Sequence, residues 1–164
     1  MAVVEFEKSE LEKLIGKKLT EGDYNNVLTM IGCPIEKMER KKVWYEISPN
    51  RPDLYGIEGF SRAMRNFIGI SKKIPSYSAR KPNIKLSIER VEARPYVAAA
   101  VVRNIKLTEE ILLPLIQLQE KLHDTLGRKR KKVAIGIHDL DEVKPPFKYI
   151  AALPERKFFP LDTR

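Results

Sequence analysis

Cysteine is almost missing from this chain. Cys33 stands alone, which excludes an internal disulfide and any zinc site built from cysteines. Histidine is nearly as scarce, with only His123 and His138, so no metal cluster is expected. The eight glycines form neither a Walker loop nor a GxGxxG fingerprint, and no nucleophile elbow is present. Long apolar runs are lacking too. The longest, Tyr96 to Val102, falls far short of the roughly 20 residues needed to cross a bilayer. The opening Met1-Ala2-Val3-Val4-Glu5-Phe6-Glu7-Lys8 has neither the basic start nor the apolar core of a secretory leader. Together these absences predict a soluble, cytoplasmic protein with no membrane association.

What the chain has in abundance is positive charge. Thirty-one Lys and Arg against 22 Asp and Glu leave a net charge of +9. That balance favours a polyanionic partner such as RNA or DNA, and a charged, solvated surface is the plain alternative. At 164 residues and 43% hydrophobic, the chain is long enough to bury a core without staples.

Local signals divide the chain into short elements of both kinds, an α+β pattern. Ser9-Glu10-Leu11-Glu12 reads as a capping box, Ser9 capping and Glu12 reaching back, with Gly16 ending the helix. A second helix is predicted from Thr20, with Asp23 at its third position and Gly32 at its end. Ile35–Glu39 and Val43–Ser48 read as strands around Arg40-Lys41-Lys42. In the second, Val43, Tyr45 and Ile47 alternate with Trp44 and Glu46.

Ser48-Pro49-Asn50-Arg51-Pro52-Asp53-Leu54-Tyr55-Gly56 follows as a stiff polar turn. Its prolines fix φ and push Ser48 and Arg51 toward extended conformations, while Asn50 and Asp53 favour turns and caps. The helix beyond it, with Ile57, Phe60, Met64 and Phe67 at helical spacing, is predicted to end near Gly69. Residues 71–83, with Pro75 and Pro82 among serines and cations, read as a boundary. The division expected is 1–75, a linker at 76–83, and 84–164.

In the second half, Ile84, Leu86 and Ile88 alternate with charges, and Tyr96–Val102 reads as a buried strand. Thr108 is expected to cap a helix with Leu115, Leu118 and Leu122 on one face, ended by Gly127. Pro114 either opens that helix or separates its first turn. Val133–Ile137 and Phe147–Leu153 read as further strands.

Three places carry candidate chemistry. Arg128, Lys129, Arg130, Lys131 and Lys132 are five cations in succession. They are either an RNA contact, through counterion release from phosphates, or a solvated loop at a helix end. His138 and Asp139 are the one pairing of histidine with a carboxylate. General acid–base work and a capped turn after strand 133–137 explain it equally. Arg51 can reach a phosphate or carboxylate bidentately, or form an ion pair that locks the turn of Asn50, Arg51, Pro52 and Asp53. Cys33 before Pro34 reads as a small buried hydrophobe, and His123 as a surface group near a helix end.

At Ile47–Leu54 and the helix after it, the sequence resembles the N-terminal module of the phenylalanyl-tRNA synthetase beta subunit. Arg94–Ile105 and Leu118–His123 look like the start of that subunit's editing domain, and Lys129–Asp141 is similar to its archaeal and eukaryotic form. The resemblance implies a small helix and hairpin module followed by part of a mixed α/β editing domain. It implies membership of an alpha2beta2 heterotetramer in which the alpha subunit makes phenylalanyl-tRNA(Phe) with ATP and magnesium. The beta subunit's editing domain hydrolyses tyrosine wrongly attached to that tRNA. Such editing has a physical need, because an apolar pocket shaped for phenylalanine rejects an added hydroxyl poorly.

On this reading the chain ends at Leu161-Asp162-Thr163-Arg164 partway through the editing domain. No cofactor or metal is expected in this piece, and the piece by itself is expected to be inactive. His138 and Asp139 would lie at the edge of the editing pocket. The alternative is a self-contained basic RNA-binding or assembly module without catalysis.

Overall fold

Val43, Tyr45 and Ile47 are buried while their neighbours Lys42, Trp44 and Glu46 stay half-exposed. That period of two makes β3, Lys42–Ile47, the centre of a three-stranded sheet. In the computed structural model, which describes residues 2–159, this strand is flanked by β1, Ala2–Glu7, and β2, Ile35–Met38. Both neighbours run antiparallel to it, β1 in continuous register from Ala2 opposite Ile47 to Glu7 opposite Lys42. The β2 pairing slips between Ile35 and Lys37. The four residues from Leu161 to Arg164 lie outside the described residues.

By compactness the chain falls into two units interleaved in sequence. The first runs to Ser76 and resumes at Lys106–Gly136, and the second holds Tyr77–Ile105 and the residues from Ile137 on. The sequence reading instead divides the chain once, at 76–83.

The first unit contains the core. α1, Lys8–Ile15, α2, Glu21–Ile31, and α3, Ile57–Phe67, surround one side of the sheet. Tyr45 stacks on Phe60 at 4.5 Å and meets the Phe6 ring edge-on at 5.3 Å, offset geometries that aromatic rings favour. Leu11, Ile15, Leu28, Leu54 and Met64 close around them with no exposure. On the opposite face of the sheet, Glu5 accepts hydrogen bonds from Trp44 Nε1 at 2.8 Å and Lys42 Nζ at 2.5 Å. Lys37 lies over the Trp44 ring. These are cross-strand pairs suited to a wet surface.

The helix ends follow the sequence in part. Thr20 and Asp23 make the expected capping box of α2, and Gly16 and Gly32 cap α1 and α2 in left-handed conformation, φ 80° and 83°. The box expected at Ser9 does not form. β1, absent from the sequence reading, runs straight into α1, so the cap is Glu7 and Ser9 falls inside the first turn. Glu12 reaches forward instead, accepting from Leu19 N at 3.1 Å and Tyr24 Oη at 3.3 Å. Phe67, expected on the apolar face of α3, is about half-exposed at its last turn.

α4, Glu109–Asp124, is continuous through Pro114, and Leu118 and Leu122 pack on the first unit's core. Pro114 is the sixth residue of the helix and has no proton to give to the Glu110 carbonyl, so the helix carries one missing backbone bond in its second turn. The second unit holds a short parallel pair, β4, Leu86–Ile88, and β5, Phe147–Tyr149. Tyr149 Oη donates to Arg94 O at 2.9 Å.

Two expected strands are not strands here. Tyr96–Val102 is irregular and Tyr96 is 91% exposed; an apolar run becomes a strand only where a ladder accepts it, and β4 and β5 pair with each other. Val133–Ile137 is irregular, and its Ile135 N–H goes to a histidine ring rather than to a neighbouring strand. β5 covers only the first three residues of the expected Phe147–Leu153. Among the described residues no helix is long and apolar enough to cross a membrane.

Candidate functional site

The cationic run follows the end of α4 within the first unit. Thr125 Oγ1 donates to Lys121 O at 2.7 Å, and Gly127 N to Leu122 O at 2.8 Å, winding the helix to a stop. Gly127 has no alternative here. A Cβ at that position would stand 2.5 Å from Val133 O and 2.6 Å from His123 O, closer than any side chain tolerates. Arg128, Lys129 and Arg130 then adopt φ of 47°, 56° and 63°. Three successive left-handed residues, none of them glycine, cost about 1–2 kcal/mol each. Lys132 N closes the loop onto Gly127 O at 2.8 Å, and Arg130 N onto His123 O at 3.2 Å. A strained loop held by this many closures points to a use for the side chains it displays.

Underneath lies His123, which the sequence reading places at the surface and the structure buries to 2% exposure. Its Nε2 accepts the Ile135 N–H at 2.8 Å. That fixes the proton on Nδ1, which faces Glu120 Oε1 at 3.2 Å and donates to it. Glu120 also receives Arg130 Nη2 at 2.6 Å. Desolvation works against ionisation of the Glu120 carboxyl, and the hydrogen bonds from Arg130 and His123 outweigh it and hold its pKa below the usual value. Arg130 is thus turned back onto α4. Arg128, Lys129, Lys131 and Lys132 are exposed and make no salt bridge among the described residues.

The other two candidates have simpler surroundings. Arg51 Nε and Nη2 donate to the two oxygens of Asp53 at 3.0 and 2.9 Å. The bidentate pair spans a turn closed by Arg51 N to Ser48 O, followed by the 3-10 turn Pro52–Leu54. Asn50 is exposed at its tip. The pair holds the Asp53 carboxyl below the usual range. Its contribution to stability is therefore complete above that range and disappears as pH falls through the depressed value. Both side chains are over two-fifths exposed, so that contribution is about 0.2–1 kcal/mol. Asp53→Asn should lower stability by that amount near pH 7 and lose less than the parent on acidification, read as urea midpoints across pH. An identical acid response in both proteins would remove the pair's role.

In the second unit, His138 and Asp139 are exposed. Asp139 Oδ1 accepts from Asp141 N at 2.9 Å, and its carbonyl from Val143 N at 3.2 Å, an Asx turn. Nothing described brings a third group to His138. Cys33 is buried, and burial pushes its thiol up, as befits a core residue.

No family model matches the sequence. Over 99% of its length the chain is 42% identical to a phenylalanine–tRNA ligase beta subunit from Methanosarcina barkeri. It is 43% identical over 99% to the one from Archaeoglobus fulgidus. In each case it spans 30% of that protein. Among solved structures it is similar to the crystal structure of an N-terminal fragment of the phenylalanyl-tRNA synthetase beta subunit from Pyrococcus horikoshii. That match has a TM-score of 0.78 and 35% identity, covering 90% of this chain and 45% of that one.

Proposed function

We propose that this chain, a homologue of archaeal phenylalanine–tRNA ligase beta subunits along its whole length, is the N-terminal part of such a subunit and works as a tRNA-contacting module of the assembled ligase. The observation that carries this reading is the match over 99% of the chain at 42–43% identity, joined to a shared fold. The full ligase would pair this subunit with an alpha subunit, join phenylalanine to tRNA(Phe) and hydrolyse mischarged tyrosyl-tRNA(Phe).

Among the described residues no three His, Cys, Asp or Glu lie together in a group able to hold a metal ion. The ATP- and magnesium-dependent step would belong to the alpha subunit of the full ligase. An activated water and a developing oxyanion would require donors beyond His138 and Asp139. The two are read as at most one edge of an editing pocket whose remaining groups come from elsewhere in the subunit.

The part this chain plays directly is electrostatic. The loop 128–132 holds four exposed cations on a backbone stiffened by its closures, so little backbone ordering is needed when phosphates arrive. Such contacts set position and carry no sequence information. The test is a tRNA(Phe) titration at several salt concentrations, with Lys129→Glu/Lys131→Glu/Lys132→Glu beside the parent. The variant should bind more weakly and lower the slope of log K against log salt by about two to three. An unchanged slope would remove the loop from the interface. A parallel assay follows tyrosine release from tyrosyl-tRNA(Phe). Release matching the intact ligase would overturn the reading of this chain as inactive in isolation.

A further inference from the structure

A second cationic surface lies in the first unit, on α3. A shallow cleft of about 370 Å³ between the end of α1, α3 and the segment after it is lined by Arg62, Arg65 and Lys73, with Asn66 and Ser71, and by no carboxylate. The contrast within the same unit is sharp. A larger groove of about 600 Å³ is lined by Glu5, Glu7, Glu10 and Glu110 beside two lysines. There burial first, and then the neighbouring Glu58 and Glu7, raise the Glu10 carboxyl.

Arg65 is built into the cleft. Its Nη1 donates to Leu14 O and Ile15 O, both at 3.1 Å, the carbonyls left open at the end of α1. Gly16 is left-handed, φ 80°, and an ideal Cβ there would meet Nη1 at an ordinary 3.7 Å, so the turn and not the guanidinium calls for glycine. The head group is therefore fixed while its Nε and Nη2 protons have no hydrogen-bond partner among the described residues. Ser71 Oγ accepts the Lys73 N–H at 3.4 Å, leaving its own proton to give. Asp53 feels the charge of Arg62, but Arg51 already engages both its oxygens.

We infer that this cleft binds phosphate groups of an RNA backbone, as a contact separate from the loop at 128–132. A fixed guanidinium fork with spare donors, two exposed cations and a free hydroxyl suit a tetrahedral, multiply charged oxyanion. The inference rests on the tRNA-contacting reading above, and its test separates the two.

The test uses the 164-residue chain with Arg62→Glu/Lys73→Glu, which spares the Arg65 anchor, and the milder Arg62→Gln/Lys73→Gln. Circular dichroism checks that both fold. An unmodified tRNA transcript is titrated by fluorescence anisotropy across salt concentrations. The charge reversal should weaken binding about tenfold or more at low salt and lower the salt slope by about two, and the glutamine pair should move both in the same direction. Loss here with an inert loop variant upholds the cleft and sinks the loop. Loss in the loop variant with an unchanged slope in both cleft variants overturns the cleft. Polyglutamate displacing the transcript from the parent at equal charge concentration, but not from the cleft variants, would assign the cleft to acidic protein and overturn the RNA assignment.

Discussion

Gly59→Ala should destabilise the first unit by about 3 kcal/mol or more. A Cβ at this position would stand 1.8 Å from Asp53 O and 3.0 Å from its carbonyl carbon. The obstacle is backbone in the 3-10 turn Pro52–Leu54, and neither a rotamer change nor a flexible neighbour relieves it. Pro52 and the Arg51–Asp53 pair stiffen the turn against retreat. Either α3 moves away, separating Phe60 from Tyr45, or the turn unravels. Helix propensity alone predicts the reverse, since alanine in a helix gains about 1 kcal/mol over glycine. Gly22 in α2 supplies the control. Its ideal Cβ meets only Thr20 Oγ1 at an ordinary 3.7 Å, so Gly22→Ala should be neutral or slightly stabilising. Urea unfolding of both variants decides the matter. A Gly59→Ala midpoint within about 1 kcal/mol of the parent would mean that the turn and α3 are not in contact as described.

His123→Ala should cost about 2–4 kcal/mol. The ring is buried and each nitrogen has one partner, Ile135 N and Glu120 Oε1. Truncation leaves a cavity beneath the loop and strands the Ile135 amide without an acceptor, a loss larger than the net worth of the bond itself. It also frees Glu120, so Arg130 loses part of what holds it against α4. His123→Gln retains an acceptor and should recover some of the loss. Amide hydrogen exchange gives the specific signature. Protection at Ile135 and Lys132 should fall in the alanine variant while α2 amides are unaffected. A uniform loss across the first unit would instead make His123 an ordinary core residue.

What the sequence shows and what it hides follows interaction range. Thr20 with Asp23, Gly16, Gly32 and the alternation of Val43, Tyr45 and Ile47 are encoded within a few residues, and the structure keeps them. β1 carries little local signal, because its partner, β3, lies some forty residues on, and Val4 and Phe6 alone make a thin alternation. Its presence displaces the cap from Ser9 and turns Glu12 toward Leu19. At the candidate site the five cations were visible, but not that Arg130 is diverted to Glu120. Nor did composition reveal three left-handed residues without a glycine among them. A histidine followed twelve residues later by an apolar stretch carries no signal that the two will bond. Tyr96–Val102 fails in the other direction, since hydrophobicity marks a capacity to pair and not the existence of a partner.

The interleaving of the two units has a consequence for the order of assembly during synthesis. The sheet and α1 to α3 are complete in sequence by Ser76, yet α4, whose Leu118 and Leu122 cover part of their core, begins only at Glu109. A nascent chain therefore passes through a stage with the N-terminal core formed and one flank uncovered. Docking α4 then closes a loop of about thirty residues, at an entropic cost of roughly 3 kcal/mol. Until that closure the cations that follow α4 have no base to stand on, so the cationic loop is the last part of its unit to take shape.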